Sequence, residues 1–528
     1  MNIKFKRHYP LLVLFVGFVL LFVLVFGNTR IIAYTTGTTD MAQVAGVNYD
    51  NSVDLFDDTV IHEIAIIMNP ADYDTMIETY VETEKKDFFS ADIVIDGARI
   101  NDVGIRLKGN STLANLFGRG GPGNGEPPAG EESNQPPPPP GFDGNRPPPP
   151  GFGGQTPPDF EGHMPIPLET RETPFLIKFD EYELGQRYQG YAEIALRVRG
   201  HLEEDAALLS ELLTCYLYDS VDLPVPQVAY AGVSINGEAA SLYVIAEHVD
   251  EIYTEKHFPD SDGVLYKAQP QGNFHYHGQD PTGYATSFEQ KTKVNDEDFA
   301  PLIDFMRFVN QATDEEFERD LPQYLDIDSF VIYLAINNLV VNMDSLGGNG
   351  NNYYLYYNLD SGQFTVLVWD MNESLGQFWF SSMPNYELDP YYELALPWNH
   401  PLKARFLENA QLRALYEETY KNLFEKIYSR DLVSDRIDQL STLFGQENAQ
   451  RNLFDQTTYD KSVAHVNEFL SQRKAFLLSL EMTTHPARPG SPDPGQGRDK
   501  TRIFGGSPSI APVFELPGCR IWRSGKSG

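Results

Sequence analysis

The order of the hydrophobic patterns constrains this chain more than any other feature of its sequence. From about residue 60 to residue 247 apolar and polar residues mostly alternate, as is typical of half-buried strands, whereas helical periods dominate from Ala300 onwards. An Asn236-Gly237 turn between two alternating segments predicts a β-hairpin. Strands first and helices later predict an α+β domain with a strand-rich N-terminal part and a mainly helical C-terminal part.

The first residues predict a membrane anchor. Basic residues, among them Lys4 and Arg7, precede an uncharged apolar run over residues 11–26. The positive-inside rule then places the N-terminus in the cytoplasm and the bulk of the chain outside the cell membrane. No small-residue cleavage site follows, which favours an uncleaved single-pass signal-anchor over a cleaved signal and a secreted protein. Residues 1–27 are predicted to be the cytoplasmic tip and transmembrane helix, and residues 28–58 a stalk.

Two further regions have compositions that cannot build a core. Residues 116–167 contain polyproline runs at 136–140 and 147–150, and they predict a disordered insertion within a folded domain over residues 59–482. The tail over residues 483–528 is rich in Pro and Gly and is also predicted to be disordered. The insertion is a candidate binding segment, because polyproline II helices dock into grooves of partner proteins.

The charge balance limits the classes of partner. Asp and Glu number 75 against 40 Lys and Arg, and the formal net charge is −35. Nucleic acid is not an expected partner, because its phosphates are bound by clustered Lys and Arg. The acidic balance is compatible with divalent cations and with a protein substrate that is basic or Ser-rich. Only Cys215 and Cys519 are present, too few for a disulfide scaffold or a cysteine-rich zinc site.

Two carboxylates flank a second predicted hairpin. Asp344 follows a helix predicted over residues 327–342, and Asp370 follows the apolar strand 366–369. Two carboxylates with Asn oxygens nearby form a hard-oxygen site that suits Mg²⁺ or Mn²⁺. For phosphoryl transfer, Asp344 would be the base, Asp370 the principal metal ligand and Asn352 a further metal ligand.

The same residues have other interpretations. Asp and Asn are expected at helix caps and turns whatever the function of the chain. Two carboxylates are also the machinery of some hydrolases. The ordinary kinase motifs His-Arg-Asp and Asp-Phe-Gly are absent from the sequence. Spacing alone therefore leaves the chemistry of this region open.

Several segments resemble motifs of the CotH family of atypical protein kinases. Residues 352–356 (Asn-Tyr-Tyr-Leu-Tyr) and 369–372 (Trp-Asp-Met-Asn) are similar to the signature of that family. Residues 104–111 (Gly-Ile-Arg-Leu-Lys-Gly-Asn-Ser) and 174–180 (Pro-Phe-Leu-Ile-Lys-Phe-Asp) resemble its earlier strands. The motifs occur in the order of the family, and the resemblance covers roughly residues 60–480.

The resemblance implies a kinase-like fold and transfer of phosphate from ATP to protein Ser or Thr with a divalent metal, in a family named for spore coat proteins. By position, Asp344 matches the catalytic Asp and Asp370 the metal-binding Asp. Lys178, on a predicted strand, is the expected phosphate-holding lysine, and Lys108 is its rival. Glu211, on a helix, is one of two candidates for the acidic partner of this lysine.

Other assignments implied by the resemblance stay open. Glu247, which ends a strand, competes with Glu211 for the lysine, and Arg106 is expected near the phosphates. Asn349 competes with Asn352 as a metal ligand, since it lies five residues after the catalytic Asp, as in ordinary kinases. Asn372 stands where many members have a second Asp, and Asn is a weaker ligand for a second metal.

The sequence thus predicts an extracytoplasmic, membrane-anchored Ser/Thr kinase that uses ATP and Mg²⁺ or Mn²⁺. The alternative is a catalytically inactive cell-surface scaffold that binds partners through its Pro-rich insertion. Retention of both Asp344 and Asp370 favours the kinase. The sequence indicates neither the identity of the protein substrate nor the oligomeric state.

Overall fold

The computed structural model describes residues 46–117, 172–198, 207–259, 262–269, 274–294, 298–348, 350–377, 384–391, 400–430 and 432–480. The predicted transmembrane segment, nearly all of the Pro-rich insertion and the predicted disordered tail lie outside these ranges. Among the described residues, no helix is both long enough and apolar enough to cross a membrane.

The N-terminal part is built around a closed barrel. Its strands pair in the order β2-β3-β4-β5-β7-β9-β8, and β2 closes the barrel by pairing with β8 in parallel. The short strands β1 and β6 pair with each other outside it. The strand bounds are β1 Asn48–Tyr49, β2 Ile61–Met68, β3 Phe89–Ile95, β4 Ala98–Leu107, β5 Phe175–Lys178, β6 Arg187–Tyr188, β7 Glu193–Arg197, β8 Val228–Ile235 and β9 Ser241–Glu247.

Alternation along these strands builds the barrel core. Ile64, Ile93, Ile105 and Ile177 are completely buried, and burial of a side chain of this size contributes roughly 1.5–3 kcal/mol. Strands β4 and β5 pair with each other although the Pro-rich insertion separates them in sequence. The insertion therefore connects two neighbouring strands of the same barrel.

A second antiparallel sheet and most of the helices form the C-terminal part. Its strands pair in the order β11-β10-β12-β13, and their bounds are β10 Gly263–Ala268, β11 Phe288–Gln290, β12 Tyr353–Asn358 and β13 Phe364–Val368. The helices are α1 Pro70–Thr83, α2 Ser111–Leu116, α3 Ala207–Asp219, α4 Glu251–His257, α5 Ala300–Gln311, α6 Asp314–Asp320, α7 Ile327–Leu339, α8 Pro401–Glu408, α9 Ala410–Phe424, α10 Leu432–Arg451 and α11 Gln456–Ser479. This arrangement confirms the predicted α+β class.

Helix α7 leads into the predicted site and ends earlier than the sequence pattern suggests. The helix ends at Leu339 rather than at residue 342, and Val341 has the left-handed φ of 56° that breaks the helical path. Arg473 of α11, fully buried, donates hydrogen bonds to the carbonyl oxygens of Asn338 and Leu339 at 3.0 and 3.4 Å. A cation at a helix C-terminus satisfies its last carbonyls and its dipole, so Arg473 fixes the point at which helix α7 ends and the loop to β12 begins.

Candidate active site

The loop between α7 and β12 brings Asp344 to Asn352. The side-chain amides of Asn351 and Asn352 donate hydrogen bonds to the Asp344 carboxylate at 3.2 and 2.7 Å. The Asn352 amide also lies 3.5 Å from the backbone oxygen of Asp370. Asn352 therefore links the Asp344 carboxylate to the backbone of Asp370.

The hairpin β12–β13 explains this proximity. In its antiparallel register Tyr353 lies opposite Val368, so the residue before β12 and the residues after β13 meet at one end of the hairpin. Asp370 has the left-handed φ of 55°, and Asn352 has a φ of 49°. Such a conformation in a residue other than Gly costs on the order of 1 kcal/mol and is concentrated at functional sites. The Asp370 side chain is 40% exposed and open to a ligand.

Arg197 binds both Asp370 and a carboxylate of helix α3. One of its terminal nitrogens, Nη1, lies 2.6 Å from Asp370 Oδ1 and 2.6 Å from Glu211 Oε1. The guanidinium also packs against the Trp369 ring, with 4.6 Å between Cζ and the ring centre. Burial raises the pKa of Glu211, while the charge of Arg197 opposes this effect. Strand β7, helix α3 and the end of β13 thus meet at one guanidinium.

Positive charge gathers beside Asp370 in spite of the acidic composition of the chain. Lys108 Nζ lies 5.3 Å from the centre of the Trp369 ring, and Lys267 Nζ lies 5.8 Å from the centre of the Tyr354 ring. Burial, followed by the like charges of neighbouring basic side chains, holds the pKa of Lys108 well below its ordinary value, and Asp370 opposes this shift. These cations sit close to a carboxylate and to each other, so they would be stabilised by an anionic ligand such as a phosphate group.

Lys178 lies at the other end of the barrel strands from Lys108. In the antiparallel β4–β5 pair Lys178 is opposite Gly104, whereas Lys108 follows Leu107, where the pairing ends. Lys178 Nζ pairs with Glu181 Oε2 at 2.8 Å, and this hydrogen bond raises the pKa of Lys178. Strand direction, which the sequence did not specify, therefore brings the rival lysine to Asp370 and not the one expected.

Glu247 also points to a different part of the structure. Its carboxylate accepts hydrogen bonds from Lys256 Nζ at 3.0 Å and from the backbone nitrogen of Gln227 at 2.9 Å. Burial raises the pKa of Glu247, and Lys256 opposes the shift. Of the two candidate glutamates, the structure brings Glu211 to Asp370 and assigns Glu247 to the contact between the barrel and helix α4.

Arg106 and the two competing asparagines, Asn349 and Asn352, are the remaining predicted site residues. Arg106 packs on Phe88, with 5.1 Å between Cζ and the ring centre, and its charge contributes to the lowered pKa of Lys108. It therefore lies on the side of the site where the basic residues gather. Asn349 lies outside the described residues, whereas Asn352 contacts Asp344 directly.

Arg197 and Lys267 are the residues of the site that the sequence reasoning missed. Arg197 directly follows the buried segment Ile194 to Leu196, just as Asp370 follows an apolar strand. Asp370 was predicted because it is a charged residue at the end of a buried strand. The same criterion applies to β7 and would have identified Arg197. Lys267 lies within β10 opposite Tyr354 and carries no comparable signal.

The donor set fits a divalent cation held jointly with phosphate. Among the described residues, no group of three or more His, Cys, Asp or Glu side chains is arranged to hold a metal ion. Asp344, Asp370 and Asn352 nevertheless lie together and offer carboxylate and amide oxygens. Mg²⁺ commonly takes one or two carboxylates and completes its shell with water and substrate phosphates, so these residues are sufficient for it.

The chain is similar to several known proteins. Inner spore coat protein H of Bacillus subtilis (strain 168) is 23% identical over 298 residues, which cover 55% of this chain and 78% of that protein. Inner spore coat protein H-like protein of the same organism is 22% identical over 280 residues, or 52% of this chain and 77% of that protein. The crystal structure of the Helicobacter pylori proinflammatory kinase CtkA covers 55% of this chain and 92% of its own, with 10% identity and a TM-score of 0.26.

The family assignment rests on a longer match. The profile described as CotH kinase protein matches residues 166–477, which is more than half of the chain. This range includes β5 to β13 and the segment from Asp344 to Asp370, in which Asn352 contacts the Asp344 carboxylate and the Asp370 backbone. The chain therefore belongs to the CotH kinase protein family and has the kinase-like α+β fold of that family.

Proposed function

We propose that this protein is a protein Ser/Thr kinase that transfers phosphate from ATP with the help of Mg²⁺ or Mn²⁺. The observation that carries the proposal is the link from Asp344 through Asn352 to Asp370 at one end of the β12–β13 hairpin. Basic side chains surround the same point, as a site for nucleotide phosphates requires. Membership of the CotH kinase family adds independent support.

Each residue has a role that follows from its chemistry. Asp344, held by two amides, would orient the acceptor hydroxyl and accept its proton. Asp370 and Asn352 would hold the divalent cation, which when bound neutralises charge on the phosphate oxygens. Lys108 is our choice for the phosphate-holding lysine in place of Lys178, because it lies against Trp369 and beside Asp370.

The cellular setting is a proposal from the sequence. The basic residues before the apolar run at 11–26 support a single-pass anchor with the kinase domain outside the cell membrane. The net charge of −35 supports a protein substrate that is basic or Ser-rich.

The proposal is tested by phosphate transfer in the full-length protein. We expect labelled phosphate to move from ATP to the protein itself or to an added Ser-rich acceptor when Mg²⁺ or Mn²⁺ is present. Transfer should stop when EDTA removes the metal, because the cations at the site cannot alone neutralise the triphosphate. A folded protein that binds no nucleotide with either metal would contradict the proposal and support the scaffold alternative.

The assignment of Lys108 gives a separate prediction. Lys108→Met should raise KM for ATP by about tenfold to a hundredfold, as expected when a charged group loses a hydrogen-bond partner. Lys178→Met is the matched variant at the far end of the same strand pair, and its KM should stay close to that of the parent. Steady-state kinetics over a range of ATP concentrations makes the comparison. The opposite ranking of the two variants would return the phosphate role to Lys178.

A further inference from the structure

Arg197 forms ion pairs with two carboxylates that belong to different parts of the fold. A single nitrogen of its guanidinium serves two carboxylates, Asp370 Oδ1 and Glu211 Oε1, both at 2.6 Å. The Arg197 side chain is 14% exposed and that of Glu211 is 5% exposed, so water screens this interaction weakly. One of the two carboxylates belongs to the proposed metal site and the other belongs to helix α3.

This sharing has a consequence for metal binding. A cation at Asp370 must compete with Arg197 for the same carboxylate, or bind against its positive charge. Glu211 pairs with the same guanidinium nitrogen, so its negative charge weakens the electrostatic attraction between Arg197 and Asp370. Metal affinity at Asp370 then depends on whether helix α3 keeps Glu211 within reach of Arg197.

We propose that Arg197 is a positioning residue that limits the affinity of Asp370 for the divalent cation, and that Glu211 on helix α3 relieves this limit. The proposal rests on the proposed function, since it assigns a metal to Asp370. In ordinary protein kinases one lysine both pairs with a helix glutamate and holds the phosphates. In this protein the two roles would belong to two different side chains. Here Arg197 pairs with the helix, and Lys108 is left for the phosphates.

The test measures Mn²⁺ binding to the full-length protein without nucleotide, from the EPR signal of free Mn²⁺. Arg197→Gln should bind Mn²⁺ about three- to thirtyfold more tightly, because a positive charge next to the ligand is lost. Glu211→Gln should bind it more weakly by a similar factor, because Arg197 is then left entirely to Asp370. Both variants should transfer phosphate more slowly than the parent. In Arg197→Gln the carboxylate of Asp370 loses the guanidinium that positions it, and in Glu211→Gln the metal binds Asp370 more weakly.

A double variant separates this mechanism from a direct effect of the Glu211 charge. If Glu211 acts through Arg197, Glu211→Gln should change the Mn²⁺ affinity by less than about twofold once Arg197 is already Gln. Arg197→Lys keeps the charge and should restore the affinity of the parent. Arg187→Gln is the matched control, because Arg187 of β6 makes a similar 2.7 Å pair with Asp180 outside the proposed metal site. Its Mn²⁺ affinity should not change.

The outcomes are distinguishable from a failure of the proposed function. If the parent transfers phosphate but Arg197→Gln weakens Mn²⁺ binding, Arg197 is only structural and the inference is overturned while the kinase stands. Equal losses from Glu211→Gln in the single and double variants would also overturn it, since Glu211 would then act directly. A parent that neither binds Mn²⁺ nor transfers phosphate would overturn both.

Discussion

Asp370→Asn is expected to slow phosphate transfer by on the order of a thousandfold, while the folded protein keeps its thermal stability. The substitution preserves the size of the side chain and removes only the negative charge. Asp370 is the partly exposed carboxylate at the end of the hairpin and the proposed principal ligand of the metal. Arg197 keeps Glu211 as a partner, so its own buried charge remains compensated.

The matched control lies at the other end of the same hairpin. Asp360 is exposed in the turn between β12 and β13, so Asp360→Asn makes the same chemical change away from the site. Its transfer rate should stay within about twofold of the parent, because exposed substitutions of this kind change little. Initial rates at saturating ATP and metal make the comparison, with circular dichroism to check folding. Retention of more than about a tenth of the activity by Asp370→Asn would remove Asp370 from the metal site.

The site could be predicted where local structure determines it. The Asn352 and Asp370 pair follows from one hairpin, whose two strands are close in sequence and whose register is fixed by the turn between them. The sequence therefore identified these two residues together, and the α+β class followed from the same alternating and helical patterns. Helix α7 was found by its period, although its last residues were not.

Contacts between distant segments could not be predicted in this way. Lys108 and Lys178 lie on either side of the Pro-rich insertion, and the prediction favoured Lys178 because it lies on a strand. Only the antiparallel pairing of β4 with β5 shows that they lie at opposite ends of the ladder. Pairing of β5 with β7 then brings Arg197 to the end that carries Lys108, since Phe175 lies opposite Leu196. Such pairings depend on closure of the whole barrel.

Arg473 is a second residue whose importance comes from distant contacts. Its position in α11 resembles that of any basic residue in an amphipathic helix, yet it is completely buried. It donates hydrogen bonds to the carbonyl oxygens of Tyr386 at 2.9 Å and Leu388, to the side-chain oxygen of Asn338 at 2.9 Å and to the Tyr420 hydroxyl at 3.2 Å. These partners lie on three separate segments of the chain, which the guanidinium ties together.

Arg473→Met should therefore lower the free energy of unfolding by about 3–5 kcal/mol, because several buried oxygens each lose a hydrogen bond from a charged donor. Met fills much of the space but donates no hydrogen bond, so the carbonyl oxygens of Asn338 and Leu339 would each lose one of their hydrogen bonds. Urea unfolding of the full-length protein, followed by tryptophan fluorescence, measures the change.

Arg413→Met on helix α9 is the control for this substitution. Its side chain is 48% exposed and lies 3.9 Å from Glu417, one helical turn away. Exposed pairs of this kind contribute about 0.5 kcal/mol or less, so its unfolding midpoint should stay near that of the parent. Equal midpoints for the two variants would show that Arg473 does not hold the end of α7. A selective loss in Arg473→Met, accompanied by slower transfer in the fraction that remains folded, would link this buried cation to the position of Asp344.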